Sequence, residues 1–255
     1  MKRFSLTAMK DIKRGEIGEM KKISSAFTRN RLRHSFRDAL DKGINVIAEL
    51  KHSSPSHGVM DGHLTDSVRI TRYVYGGASA LSILSEREYF GGSYEGMKRV
   101  ADEASVPVLC KDFVFFREQI DAAYVCGADM VLLIARALEK SELEDFFHAA
   151  KEKGMEPIVE ICEKNELEKL GGIDPEFVMV NMRDLESLEI NFDRGIETLN
   201  ALPAGVTAIS ASGINSRGDV EYIKSRSGVN NFLIGAGLMK HSEPDVFIRE
   251  LKNVC

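Results

Sequence analysis

Eight short apolar runs rich in aliphatic and β-branched residues recur along this chain, each followed by polar or glycine residues and then a helical pattern. They read NVIAEL (45–50), ALSILS (80–85), VPVLCK (106–111), DMVLLIA (129–135), EPIVEI (156–161), EFVMVN (176–181), VTAISA (206–211) and NFLIGA (231–236). Between them lie stretches of helical spacing such as TDSVRITRYVYGG, REQIDAAYVCG, SELEDFFHAAKEKG and RGDVEYIKSRSG. The punctuation agrees: GAS, GAD and GME each place a glycine where a helix must end before the next strand, and Ser141 precedes Glu144 at capping-box spacing. Eight β-α units in about 200 residues predict an α/β fold of the (β/α)8 TIM-barrel type. A doubly wound open sheet usually has fewer strands and no eighth closing unit.

No long linker or low-complexity stretch interrupts the series, so residues 1–255 are expected to form a single barrel domain. Residues 1–44 form an N-terminal helical extension, one or two helices that cover the barrel or its active face. A hydrophobic content of 44% is enough to fill such a core. The net charge of −5 gives no global attraction to nucleic acid or to an anionic membrane. No apolar stretch approaches the roughly 18 residues that span a bilayer, and the charged N-terminus lacks the apolar centre of a signal peptide. A cytoplasmic protein is expected, as a monomer or weak homo-oligomer.

The cysteines, Cys110, Cys126, Cys162 and Cys255, form no C-x-x-C pair, and three lie in apolar segments. The histidines form no H-x-x-x-H pair; His52, His57 and His63 fall in one polar loop. No metal and no cofactor are expected.

In a barrel of this kind the site lies at the C-terminal ends of the strands, and alternation sorts the side chains that point inward. On the first strand Ile47, Glu49 and Lys51 share a face; on the third, Leu109 and Lys111 do, with Asp112 turned away. On the fifth Ile158 pairs with Glu160, and on the sixth Met179 pairs with Asn181. The strand middles are apolar, while the tips hold two lysines, two glutamates and an asparagine. One such residue is most often a solvated strand end. Five converging from four strands would strain the fold without a function, which points to a catalytic constellation.

The seventh and eighth strands end in SASGINSRGDV and LIGAGLMK, small residues before a helical segment. Either loop alone is an ordinary tight turn; together, on adjacent strands, they suit a phosphate held by backbone N–H groups. Gly213, Gly235 and Gly237 allow close approach. A small phosphorylated sugar derivative is the expected ligand.

These residues carry a resemblance. IAELKHSSPSHG, LSILSEREYFGGS, VLCKDF, GADMVLLIARAL, IVEI, VNMRDL, SASGI and FLIGAGLM follow the order and spacing of indole-3-glycerol-phosphate synthase, from about residue 45 to residue 240. The resemblance implies a carboxy-lyase of tryptophan biosynthesis. It would close 1-(2-carboxyphenylamino)-1-deoxyribulose 5-phosphate to indole-3-glycerol phosphate with loss of CO2 and water, without a cofactor. It implies Lys111 as general acid and Glu160 as general base, with Lys51 or Lys111 as the second acid. Glu49 orients Lys51 and Asn181 hydrogen-bonds the substrate. Ser56, Phe90, Phe113 and Arg183 are carried over as substrate contacts, and Ser212, Gly213, Gly235 and Ala236 as phosphate binders.

Three positions depart from the family pattern. His52 stands where the family usually has arginine or lysine, Ala211 replaces the glutamate of E-S-G, and Ala236 replaces Glu, Ser or Thr. Other readings compatible with the residues are a different phosphosugar isomerase or aldolase on the same barrel, and a barrel that binds a phosphosugar without turning it over.

Overall fold

Apolar runs buried on both faces have no water for their peptide groups, so only neighbouring strands can satisfy them. The computed structural model describes residues 4–51, 53–54, 58–59 and 64–254. In it the eight runs pair in parallel and close into a barrel in chain order. The strands are β1 (Asn45–Leu50), β2 (Ala80–Leu84), β3 (Val108–Lys111), β4 (Met130–Ile134), β5 (Glu156–Ile161), β6 (Phe177–Asn181), β7 (Thr207–Ala211) and β8 (Asn231–Ile234). Closure comes from β8 on β1, in the register Asn45 to Asn231 through Ala48 to Ile234. The fold is the (β/α)8 TIM barrel read from the sequence.

Strand ends moved by a residue or two for local reasons. Pro107 has no N–H to give a ladder, and β3 begins after it. At the other end of the chain, β8 stops at Ile234 because Gly235 already turns into the next helix.

The helices are α1 (Leu6–Ala26), α2 (Phe36–Ala39), α3 (Asp66–Tyr75), α4 (Tyr94–Glu103), α5 (Arg117–Val125), α6 (Lys140–Glu152), α7 (Phe192–Leu199), α8 (Arg217–Ser227), α9 (Ala236–Lys240) and α10 (Pro244–Lys252). A 3₁₀ segment, Lys164–Leu170, replaces a helix between β5 and β6. The glycines of GAS, GAD and GME take positive φ of 92°, 91° and 74°, as helix ends require. The cap of α6 differs from the Ser141–Glu144 expectation: Glu139 is the N-cap and Glu142 reaches back to its N–H at 3.0 Å. Lys10 of α1, 2.9 Å from Glu142, favours that earlier start.

The N-terminal extension forms two helices and is bolted to the barrel. Arg29 and Arg31 both reach the buried Asp129 carboxylate, at 2.6 and 3.2 Å. Glu156 accepts from Ser35 Oγ at 3.0 Å and Phe36 N at 2.6 Å. Along α1, Lys13 is buried against Asp112, the residue that follows β3. That bond places α1 directly behind the tip of β3.

Candidate active site

Alternation along β1 turns Glu49 and Lys51 into the barrel mouth, where Lys51 Nζ lies 2.8 Å from Glu49 Oε1. Burial opposes ionisation of Glu49, yet Lys51 and Lys111 outweigh it and hold the carboxyl below the usual glutamate range. The pair leans against the turn after β8. A Cβ built on Gly235 would overlap Glu49 Oε1 and crowd Lys51 Nζ, so the absence of a side chain at 235 is what makes room for both charges.

Across the mouth, Lys111 Nζ is 3.5 Å from Glu160 Oε2. Glu160 is buried; its Oε1 accepts from Asn181 Nδ2 at 3.0 Å, while Oε2 has no hydrogen-bond partner among the described residues. A buried carboxylate oxygen held by one neighbour, with the other oxygen free beside an ammonium, is arranged to exchange a proton with a ligand. Asn181 is fixed in turn, its Oδ1 accepting from Arg183 N at 3.1 Å.

Arg183 donates Nη1 to the carbonyl of Leu188 at 2.7 Å. Among the described residues no carboxylate lies within ion-pair reach of its guanidinium, and burial pulls its pKa down from the usual arginine value. A half-buried cation without a counter-charge suits an anionic ligand group.

The apolar wall is aromatic. Phe90 and Phe113 lie 6.3 Å apart, and Phe4 packs on both Phe113 and Tyr89 at 5.4 Å. The loop carrying Phe90 is held by the fully buried Glu86, which accepts the N–H groups of Glu88, Tyr89 and Phe90 at 2.8, 2.8 and 3.0 Å. Opposite, Ser212 and Gly213 both take left-handed backbone, φ 70° and 81°. A Cβ on Gly213 would also strike Phe192 and Ile190, so the residue is required twice over.

Glu49, Lys51, Phe90, Lys111, Phe113, Glu160, Asn181, Arg183, Ser212, Gly213, Gly235 and Ala236 all line one cavity of about 540 Å³. Every candidate read from the sequence is therefore gathered at one mouth, save Ser56, which lies outside the described residues, as does His52. Ala211 is buried in the wall, in register with Asn181 and Leu233, and brings no carboxylate to that side. Phe4 was missed, since nothing in its local sequence signals that the N-terminal segment returns to the mouth. Leu185, Leu188 and Ile190 also line the cavity. Their signal was present, as apolar residues in an otherwise polar loop after β6.

A family model described as indole-3-glycerol phosphate synthase matches residues 4–251. Proteins of that name from Bacillus cereus (strain B4264) and Bacillus mycoides (strain KBAB4) are each 34% identical over 241 residues, 94% of this chain and 94% of theirs. Among solved structures, 3-hexulose-6-phosphate synthase from Salmonella typhimurium superposes with a TM-score of 0.66 at 14% identity, covering 83% of this chain and 98% of that one. At that identity the likeness is one of fold.

Proposed function

The chain belongs to the indole-3-glycerol phosphate synthase family, and we propose that it performs that family's reaction with Lys111 as acid and Glu160 as base. The carrying observation is the pairing of Glu160 Oε2, buried and without a hydrogen-bond partner among the described residues, with Lys111 Nζ at 3.5 Å.

Ring closure joins the carboxylate-bearing aromatic carbon to the ketone carbon, and the ketone oxygen gains a proton. Lys111 supplies it from the tip of β3. Loss of CO2 returns the electron pair to the ring. Dehydration then removes the proton on the nitrogen side and expels the new hydroxyl as water. Glu160 takes the proton, and Lys51 or Lys111 protonates the leaving oxygen.

The remaining groups bind. Asn181 holds Glu160 Oε1, leaving the other oxygen to act. Glu49 fixes the Lys51 ammonium and is free to accept from a sugar hydroxyl. Phe90 and Phe113 flank the aryl ring, and Arg183 faces the substrate's carboxylate. Ser212, Gly213, Gly235 and Ala236 offer backbone N–H groups to the phosphate. Ser56 remains assigned to the substrate by family pattern alone.

The same reading takes residues 1–255 as one domain working in the cytoplasm as a monomer or weak homo-oligomer. Among the described residues no helix is long and apolar enough to cross a membrane. Light scattering after size exclusion tests the assembly.

The direct test mixes the purified protein with the carboxyphenylamino-deoxyribulose phosphate and follows indole fluorescence. Wild type forms indole, and Lys111→Ala and Glu160→Gln each slow it by about a hundredfold or more. Tight substrate binding with no indole formation would overturn the proposal in favour of a binding barrel.

A further inference from the structure

Arg69, in the first turn of α3, is among the largest fully buried side chains of the described residues, 1% exposed. Its Nη1 donates to the carbonyl of Leu238 at 3.2 Å, near the C-terminal end of α9. One turn further along α3, Tyr73 OH meets Met239 Sδ at 3.6 Å, and Arg72 Nη1 donates to Ser242 O at 2.9 Å. One face of α3 thus grips α9 and the carbonyls that follow it.

α9 itself has little freedom. At its start Gly235 abuts Glu49 Oε1 and Lys51 Nζ, and two residues on Gly237 abuts the Ile214 carbonyl of the loop after β7, with no space for a Cβ at either contact. Both contacts block movement inward, so a loosened α9 draws the turn after β8 back from the Ser212–Asn215 loop without pressing on the Glu49–Lys51 pair. Burying a guanidinium is costly, and an apolar side chain of equal length would fill the same space at less expense. What the guanidinium adds is a directed bond to a carbonyl at a helix C-terminus, where a cation is favoured.

We infer that Arg69 is a positioning residue for phosphate binding: its bond to the Leu238 carbonyl fixes α9 and thereby seats the Gly235–Gly237 turn in the anion cradle. The inference rests on the reading of the β7 and β8 loops as a phosphate site. Arg69 touches no reacting atom, so its removal affects substrate capture and leaves turnover almost intact.

The test is calorimetric titration of the full-length protein with inorganic phosphate, for wild type and Arg69→Met, alongside KM and kcat for indole formation and a thermal melt. Arg69→Met weakens phosphate binding about tenfold and raises KM in parallel, with kcat held within about threefold. Wild-type phosphate affinity in Arg69→Met, whatever its melting temperature, overturns the inference. Should Arg69→Met not fold, Arg69→Gln is judged by the same affinity criterion. Wild type that binds phosphate but forms no indole would sink the synthase reading and leave this one standing. Wild type with no phosphate affinity would sink the cradle and this inference together.

Discussion

The ammonium of Lys13 lies 2.9 Å from Asp112 Oδ1, and neither side chain reaches solvent. Asp112 directly follows the proposed acid Lys111, so the bond ties α1 to the tip of β3. Burial works against a charged Lys13, yet Asp112 outweighs it and holds the ammonium above the usual lysine range. Tyr94 OH, at 2.9 Å, the N–H of Phe113, at 2.8 Å, and Gln119 Nε2, at 3.4 Å, also donate to the carboxylate. Removing one partner of such a pair leaves the other charge buried. Lys13→Met is expected to destabilise the fold by about 3 kcal/mol in denaturant unfolding. Adding Asp112→Asn should recover part of that loss, and a double-mutant cycle with no coupling would disprove the bolt.

Gly235 has a separate, purely spatial role beside Glu49. Gly235→Ala places a methyl group where Glu49 Oε1 and Lys51 Nζ now sit. The backbone there has a negative φ, −113°, so alanine meets no left-handed penalty. Stability should change little, while displacement of the charge pair lowers kcat about a hundredfold. Unchanged kcat with an intact melting temperature would show that the pair relocates without consequence.

The barrel was legible because its signal is local: apolar runs of strand length, glycines at helix ends, and period-2 alternation that turned Lys111 inward and Asp112 outward. The same alternation gathered Glu49, Glu160 and Asn181 at one mouth. What alternation could not give is contact between elements distant in sequence. Phe4 reaches the aromatic wall because Lys13 anchors α1 behind β3, and no pattern within residues 4–26 encodes that approach. Arg69 is the complementary case: on an amphipathic helix a charged residue reads as exposed, and only the packing of α3 against α9 buries it.

Ala211 bears on substrate affinity. Among the residues lining the cavity, Lys51, Lys111, Arg183 and Lys240 formally balance Glu49, Glu86, Asp112 and Glu160, facing a ligand that bears phosphate and carboxylate. Ala211→Glu restores the family's carboxylate and tips that balance by one negative charge. Substrate KM should rise about tenfold, the scale of one added charge across a cavity at intermediate dielectric. Raised ionic strength should narrow the difference. A lower KM in Ala211→Glu would mean that the new carboxylate binds a sugar hydroxyl strongly enough to offset repulsion.

Acid sensitivity should centre on the loops after β4, β5 and β6. Arg136 bridges them, its Nη1 2.5 Å from Asp184 Oδ2 and its Nε 2.6 Å from Glu166 Oε1. Asp184 Oδ1 also accepts the N–H groups of Glu186 and Ser187 at 2.9 and 2.8 Å. Burial opposes ionisation of Asp184, but these backbone bonds and Arg136 outweigh it and hold the carboxyl well below the usual aspartate range. A carboxyl depressed in the folded state stabilises the fold above its unfolded value, about 3.9, and that stabilisation fades as pH falls through the folded value. Asn at 184 keeps an acceptor for the two N–H groups and loses the charge opposite Arg136. Asp184→Asn is therefore expected to destabilise by about 1 kcal/mol at neutral pH. Urea unfolding of both proteins should show that gap constant above about pH 5 and closing below about pH 4. A gap of undiminished size at the acid end would mean that Asp184 acts through its shape and not its charge.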